Sequence, residues 1–84
     1  NAQEFYAEFP EGKATLHYER QNEVLDFHHT FVPIELRGRG IGEQITAAGF
    51  RFAEEKSLKV FPSCPYVMRL VMRHPEWKHL VKKQ

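Results

Sequence analysis

The stretch Val32-Pro33-Ile34-Glu35-Leu36-Arg37-Gly38-Arg39-Gly40-Ile41-Gly42 joins an apolar extended run to a helical pattern. Three of its last five residues are glycine, so successive backbone N–H groups can turn inward without a Cβ in the way. The helix that follows adds unpaired first-turn donors and a positive dipole end, and Arg37 and Arg39 add charge. Such a loop suits a diphosphate, since hydrogen bonds to a charged group contribute about 1.5 to 3 kcal/mol each. A Walker loop is excluded, because Glu43 and Gln44 stand where lysine and serine or threonine are needed. A dinucleotide fingerprint fails as well: counted from Gly38, the sixth place is Glu43.

The rest of the chain arranges itself around this loop. Phe5, Ala7 and Phe9 alternate with Tyr6 and Glu8, predicting a strand over residues 3–9 that turns at Pro10-Glu11-Gly12. Ala14, Leu16 and Tyr18 repeat the pattern, with Thr15, His17, Glu19 and Arg20 toward water, and Gln21-Asn22-Glu23 makes the next turn. The run Val24 to Val32 is longer and less strictly alternating, which predicts a central strand covered on both faces. Pro33 ends its ladder by withholding a donor, freeing the strand end to splay.

After the loop, Ile41, Ile45, Ala48 and Phe52 recur at helical spacing to about Lys56, and Gly49 among them suggests close packing on the sheet. Leu58 to Phe61 is a short strand reached through a helical crossover, so it should lie parallel to the strand ending at Val32. Tyr66 to His74 predicts a second helix with Val67, Leu70 and Val71 inward. Pro75 opens a last short one carrying Trp77, Leu80 and Val81.

With 84 residues the chain is expected to form one domain, burying about 60 to 65% of its unfolded surface. Apolar residues make up 42% and charged ones 27%, as in ordinary globular proteins, and no apolar run matches a membrane span. A net charge of +1 argues against a nucleic-acid binder, despite the basic tail of Lys78, Lys82 and Lys83. A single cysteine and the lack of a charged-then-apolar leader point to an intracellular, cytoplasmic location. Asn1 in first place suggests a trimmed or processed chain.

Arg37-x-x-Gly40-x-Gly42 between a strand and a helix resembles the acyl-coenzyme A pyrophosphate loop of the GNAT N-acetyltransferase superfamily. The resemblance extends through Asp26-x-x-His29-Thr30-x-Val32-Pro33, Pro62-Ser63-Cys64-Pro65-Tyr66-Val67 and His74-Pro75-Glu76-Trp77. Together these look like the minimal, single-domain GNAT-like proteins labelled YjdJ-type. The implied fold is α/β (α+β), a truncated GNAT-like arrangement of antiparallel meander, helix, parallel strand and C-terminal helices. It agrees with the elements read from the residues.

The resemblance also implies a function: transfer of an acetyl group from acetyl-coenzyme A, as cosubstrate, to an amine acceptor, a protein lysine or N-terminus or a small amine. By it, backbone groups of Phe31 and Val32 pair with the pantetheine arm. Those of Arg37, Gly38, Arg39, Gly40, Ile41 and Gly42 take the pyrophosphate, and Ser63 and Cys64 lie at the thioester. The two arginines also suit a solvated pair, and Cys64 also suits a small buried hydrophobe. In a direct mechanism the amine attacks the thioester while Cys64 or Tyr66 protonates or orients the leaving sulfur. In a covalent one, Cys64 takes the acetyl group first, which requires an activated thiolate and a base such as His29. Superfamily habit favours the direct route. His29 is equally readable as a hydrogen-bonded structural residue.

A metal site is not expected, because His28 and His29, as strand neighbours, should point to opposite faces. The chain also lacks the extra N-terminal strand and helix pair that build the acceptor pocket of a full-length GNAT enzyme. The acceptor site is therefore open or shared, in a monomer or a homodimer. An acyl-coenzyme A binding or sensing module with little transfer is the alternative reading.

Overall fold

A computed structural model describes residues 3–82, so Lys83 of the basic tail lies outside the described residues. β1 (Glu4–Phe9), β2 (Gly12–Gln21) and β3 (Val24–Phe31) form the expected antiparallel meander. A 3-10 turn at Ile34–Leu36 leads to α1 (Ile41–Glu55), and β4 (Lys59–Phe61) then joins β3 in parallel, giving the sheet order β1-β2-β3-β4. α2 (Pro65–Arg73) and a 3-10 segment, Pro75–Leu80, complete the chain, with Val81 bridging Val60 beside β4. The last segment, the short helix expected from Pro75, is of 3-10 type and buries Trp77 and Leu80. This mixed α/β architecture agrees with the truncated GNAT-like arrangement that the resemblance implied.

One core holds it together. Leu16, Leu25, Phe27 and Val60 from the sheet meet Ile45, Phe50 and Ala53 of α1, Val67 and Leu70 of α2, and Trp77. A chain of rings crosses it: Phe5 on Phe27 at 5.9 Å, Phe27 on Phe50 at 5.5 Å, and Phe50 stacked on Trp77 at 4.5 Å. Each such pair contributes about 0.5 to 1.5 kcal/mol beyond the area it buries.

Three expectations are corrected. The inward face of α1 runs through Gly42, Thr46, Gly49, Phe50 and Ala53 as well as Ile41 and Ile45, while Ala48 and Phe52 sit at its margin. Counting large apolar residues overlooks contacts made because residues are small. At Gly49 a Cβ would stand 2.9 Å from the Phe27 ring, so glycine is what allows α1 to approach the sheet. Thr15, expected toward water, is buried, in register between Tyr6 on β1 and Phe31 on β3, with its hydroxyl hydrogen-bonded to His17 Nε2 at 3.1 Å. Finally, β3 is central in pairing yet covered on one face. His28, His29 and Phe31 are exposed.

That last correction has a local cause. His17 pairs with His29 but Tyr18 pairs with Phe27, so His28 is an extra residue in the β2–β3 ladder. Such a bulge reverses the alternation beyond it. Leu16, fully buried, now pairs with Thr30, which brings Thr30 to the helix-covered face. His28 and His29 do not point apart: both rings lie beside that of His17, at 6.3 and 5.7 Å.

Candidate active site

The parallel pairing of β3 with β4 covers three positions and stops at Asp26 opposite Phe61. Pro62 turns the chain away. Ser63 then donates a hydrogen bond to Asp26 Oδ1, and the Cys64 N–H bonds the Phe27 carbonyl at 2.9 Å. Beyond Phe27, β3 has β2 on one side and, among the described residues, no strand on the other. Into that gap opens a cleft of about 330 Å³, walled by Thr30, Val32, Leu36, Arg37, Gly38, Gly40, Ile41, Gly42 and Tyr66.

Its mouth is the glycine loop. Gly38 and Gly40 have φ of 84° and 74°, in the left-handed region that side chains disfavour, and a Cβ at either would enter open space. Gly40 caps α1, and its carbonyl accepts the first intrahelical bond, from the Gln44 N–H at 3.0 Å. The N–H groups of Ile41, Gly42 and Glu43 thus have no partner within the helix and lie at its positive end. Arg37 reaches the wall and donates from Nε to the Val32 carbonyl at 3.0 Å, tying the loop to the strand end.

At the inner end, Tyr66 lies against Gly42 so closely that a Cβ there would come within 2.5 Å of its hydroxyl. Burial pushes the Tyr66 phenol above its ordinary value of 10 and Glu43 adds to this, while Arg73 and Arg69 oppose it. The phenol is therefore held protonated. Cys64 caps α2, is buried, and places its Sγ 3.7 Å from Thr30 Oγ1.

The residues expected at the site are thus divided. Val32, Arg37, Gly38, Gly40, Ile41, Gly42 and Tyr66 come together in the wall, and Cys64 touches one of its members. Arg39 is exposed and outside the wall, and Phe31, 47% exposed, lies on the outer face. Ser63 serves the β3–β4 junction through Asp26. His29 is on the outer face beside His17, away from the wall, because the bulge exchanges it for Thr30. Thr30 and Leu36 are the wall residues that the sequence did not single out. A one-residue insertion in a ladder leaves no periodic signal that would have found Thr30.

Residues 4–80, which include the parting strands and the glycine-rich helix start, match the model of GCN5-related N-acetyl-transferase. The chain belongs to this family. The relatives of this GCN5-related chain include Protein NATD1 of Mus musculus and of Homo sapiens, each 34% identical over 73 residues, 86% of the chain and 66% and 65% of the relative. Protein NATD1 of Gallus gallus is 36% identical over 64 residues, 75% of the chain and 58% of the relative. The chain spans a little under two thirds of the length of these curated relatives. Acetyl-coenzyme A is the usual cosubstrate of the GCN5-related family, whose acceptors are amines.

The walls fit that cosubstrate. Left-handed glycines, free first-turn N–H groups and an arginine at the mouth suit its diphosphate, and the strand-free edge of β3 suits an extended arm. Among the described residues no group of three or more His, Cys, Asp or Glu is placed to hold a metal ion, and no helix is long and apolar enough to cross a membrane.

Proposed function

We propose that this chain is an acetyl-coenzyme A dependent N-acetyltransferase that passes the acetyl group directly to an amine. The observation that carries the reading is the cleft itself: β3 and β4 part after Phe61, and the gap ends at a glycine-lined helix start. In the reaction the amine nitrogen bonds to the thioester carbon, the carbon–sulfur bond breaks, and the nitrogen loses its proton. The leaving thiolate takes a proton, for which the Tyr66 phenol in the cleft wall is suited. The direct route is favoured over an acetyl-Cys64 intermediate because His29, the candidate base for that route, stands on the other face, and the Cys64 sulfur has the Thr30 hydroxyl beside it. Within the family, the four sequence motifs fit the minimal YjdJ-type members. The acceptor enters from an open side or one completed by a second copy, and the cell interior suits a chain with one free thiol.

One observation favours the alternative of a binding or sensing module. Apart from Tyr66 and Arg37, no titratable side chain among the described residues lines the cleft, so none of them places a general base for the amine in the wall. Calorimetric titration of acetyl-coenzyme A into the wild type and into Arg37→Glu, followed by turnover with lysine peptides and polyamines, separates these readings. Binding lost in Arg37→Glu together with acetyl transfer supports the enzyme. Binding without turnover supports the module, and no binding to the folded wild type rejects both.

A further inference from the structure

A cluster of titratable groups adjoins the cleft without forming part of its wall. His74, at the end of α2, hydrogen-bonds Glu76 Oε2 through Nδ1 at 2.9 Å and Glu43 Oε2 through Nε2. Its ring stacks on Trp77 at 4.1 Å, and Trp77 stacks in turn on Phe50 of α1. Glu43 is the third residue of α1 and follows directly on Gly42, yet its side chain is not in the cleft wall.

A carboxylate in this position presents a conflict. It suits the positive end of its own helix, but it competes there with any external anion and repels a diphosphate. Phosphate-binding loops of the Walker type carry lysine at this point, and this chain carries glutamate. The fold answers with His74, which draws the carboxylate toward α2.

We propose that His74 is a positioning residue for the cosubstrate: as an imidazolium it holds and neutralises Glu43, leaving the first turn of α1 to the diphosphate, so that loss of its proton weakens binding. The proposal rests on the reading of the cleft as a coenzyme A site. Donating a hydrogen bond to Glu76, and then one to Glu43, raises the His74 imidazole above its ordinary 6.5. The charged groups facing His74 are Glu43 from α1 and Glu76 from the 3-10 segment, with Arg73 preceding it on α2. The other imidazoles lie elsewhere: His79 faces Glu54 near the far end of α1, and His17, His28 and His29 share the outer face of the sheet.

The test is calorimetric titration of dephospho-coenzyme A, which lacks the 3′-phosphate that would itself titrate, between about pH 5.5 and 8.5 where histidines change charge. Wild type, His74→Gln, Glu43→Gln and the double variant are compared. Wild-type affinity is expected to fall about tenfold across the range, a usual size for coupling between two sites. His74→Gln should bind at the weak level throughout, and Glu43→Gln should bind tightly with most of the pH dependence gone, alone or combined with His74→Gln. By reciprocity, bound ligand should raise the His74 pKa in a ring-proton NMR titration of the wild type, a readout that needs no variant to fold. Wild-type binding without pH dependence, or a double variant as weak as His74→Gln alone, overturns the role of His74 and leaves the cleft reading intact. Absence of binding by both wild type and Glu43→Gln rejects the cleft reading and this proposal with it.

Discussion

At its start β3 runs between two partners, β2 and β4, and buries Leu25 and Phe27 almost completely. A few residues later, past the extra His28, it keeps β2 alone, exposes His28, His29 and Phe31, and gives Thr30 to a cleft. One strand thus serves as core at one end and as the wall of an open cleft at the other. The difference teaches that a site can be made by withholding an element: β4 pairs for three residues and leaves the edge of β3 open. The energetic consequences of substitution should divide at the same place.

The largest contrast is expected between Phe27→Ala and Phe31→Ala. Phe27 is fully buried, touching Phe5 and Phe50, and its truncation should cost about 3 to 5 kcal/mol in denaturant unfolding. Phe31→Ala should stay within about 0.5 kcal/mol of wild type, as surface changes do. Comparable losses at both positions would erase the distinction between the two ends.

Next in size is Tyr66→Phe. Removing the phenolic proton should lower kcat about a hundredfold, the lower range for a general acid, while the urea midpoint stays near that of wild type. A variant with unchanged kcat would move Tyr66 out of the chemistry and leave it as wall.

Two glycine variants sharpen the comparison further. In Gly49→Ala the new methyl meets the buried Phe27 and Leu16 side chains, so overpacking of about 1 to 3 kcal/mol outweighs the gain of up to about 1 kcal/mol in helix propensity. Stability should fall and acetyl-coenzyme A affinity should hold. In Gly42→Ala the methyl meets Tyr66, which is half-buried and free to retreat into the cleft. There affinity should fall severalfold with a smaller loss of stability, and melting and titration curves for both proteins would show whether the two effects separate.

The smallest expected effect is the pH dependence of stability. His74 has a folded pKa raised above 6.5, first by Glu76 and then by Glu43, so its contribution is complete below 6.5 and fades as pH rises through the raised value. Glu76, lowered from 4.5 chiefly by the same hydrogen bond, contributes fully above 4.5 and fades as pH falls through the lowered value. The melting temperature should therefore be flat between these limits and decline modestly on either side. In His74→Gln both declines should flatten.

Much of this architecture was legible beforehand. Alternation placed β1, β2 and the start of β3, Pro33 marked the end of the ladder, and helical spacing with Pro75 delimited α1 and α2. The glycine loop was readable as a turn into a helix because φ above zero and a helix start are local properties written in local residues, and it lies with Tyr66 in the cleft wall. His29 was misplaced for a reason equally physical. Alternation describes a strand that pairs without interruption, and the insertion at His28 is decided by how β2 and β3 pack across the sheet. The hydrogen bond of the Ser63 hydroxyl to Asp26, a partner 37 residues away, was likewise not legible in local residues.

The sequence by itself determined the order of the elements, the faces that become the core, and the glycine-rich turn into a helix at residues 37–42, since these follow from apolar spacing, glycine and proline. Tertiary structure alone decided which side chains of β3 enter the cleft, where β4 lets go of its neighbour, and that His74 restrains Glu43 across 31 residues of chain. Those outcomes depend on register and on long-range contact, and neither is encoded in the spacing of nearby residues.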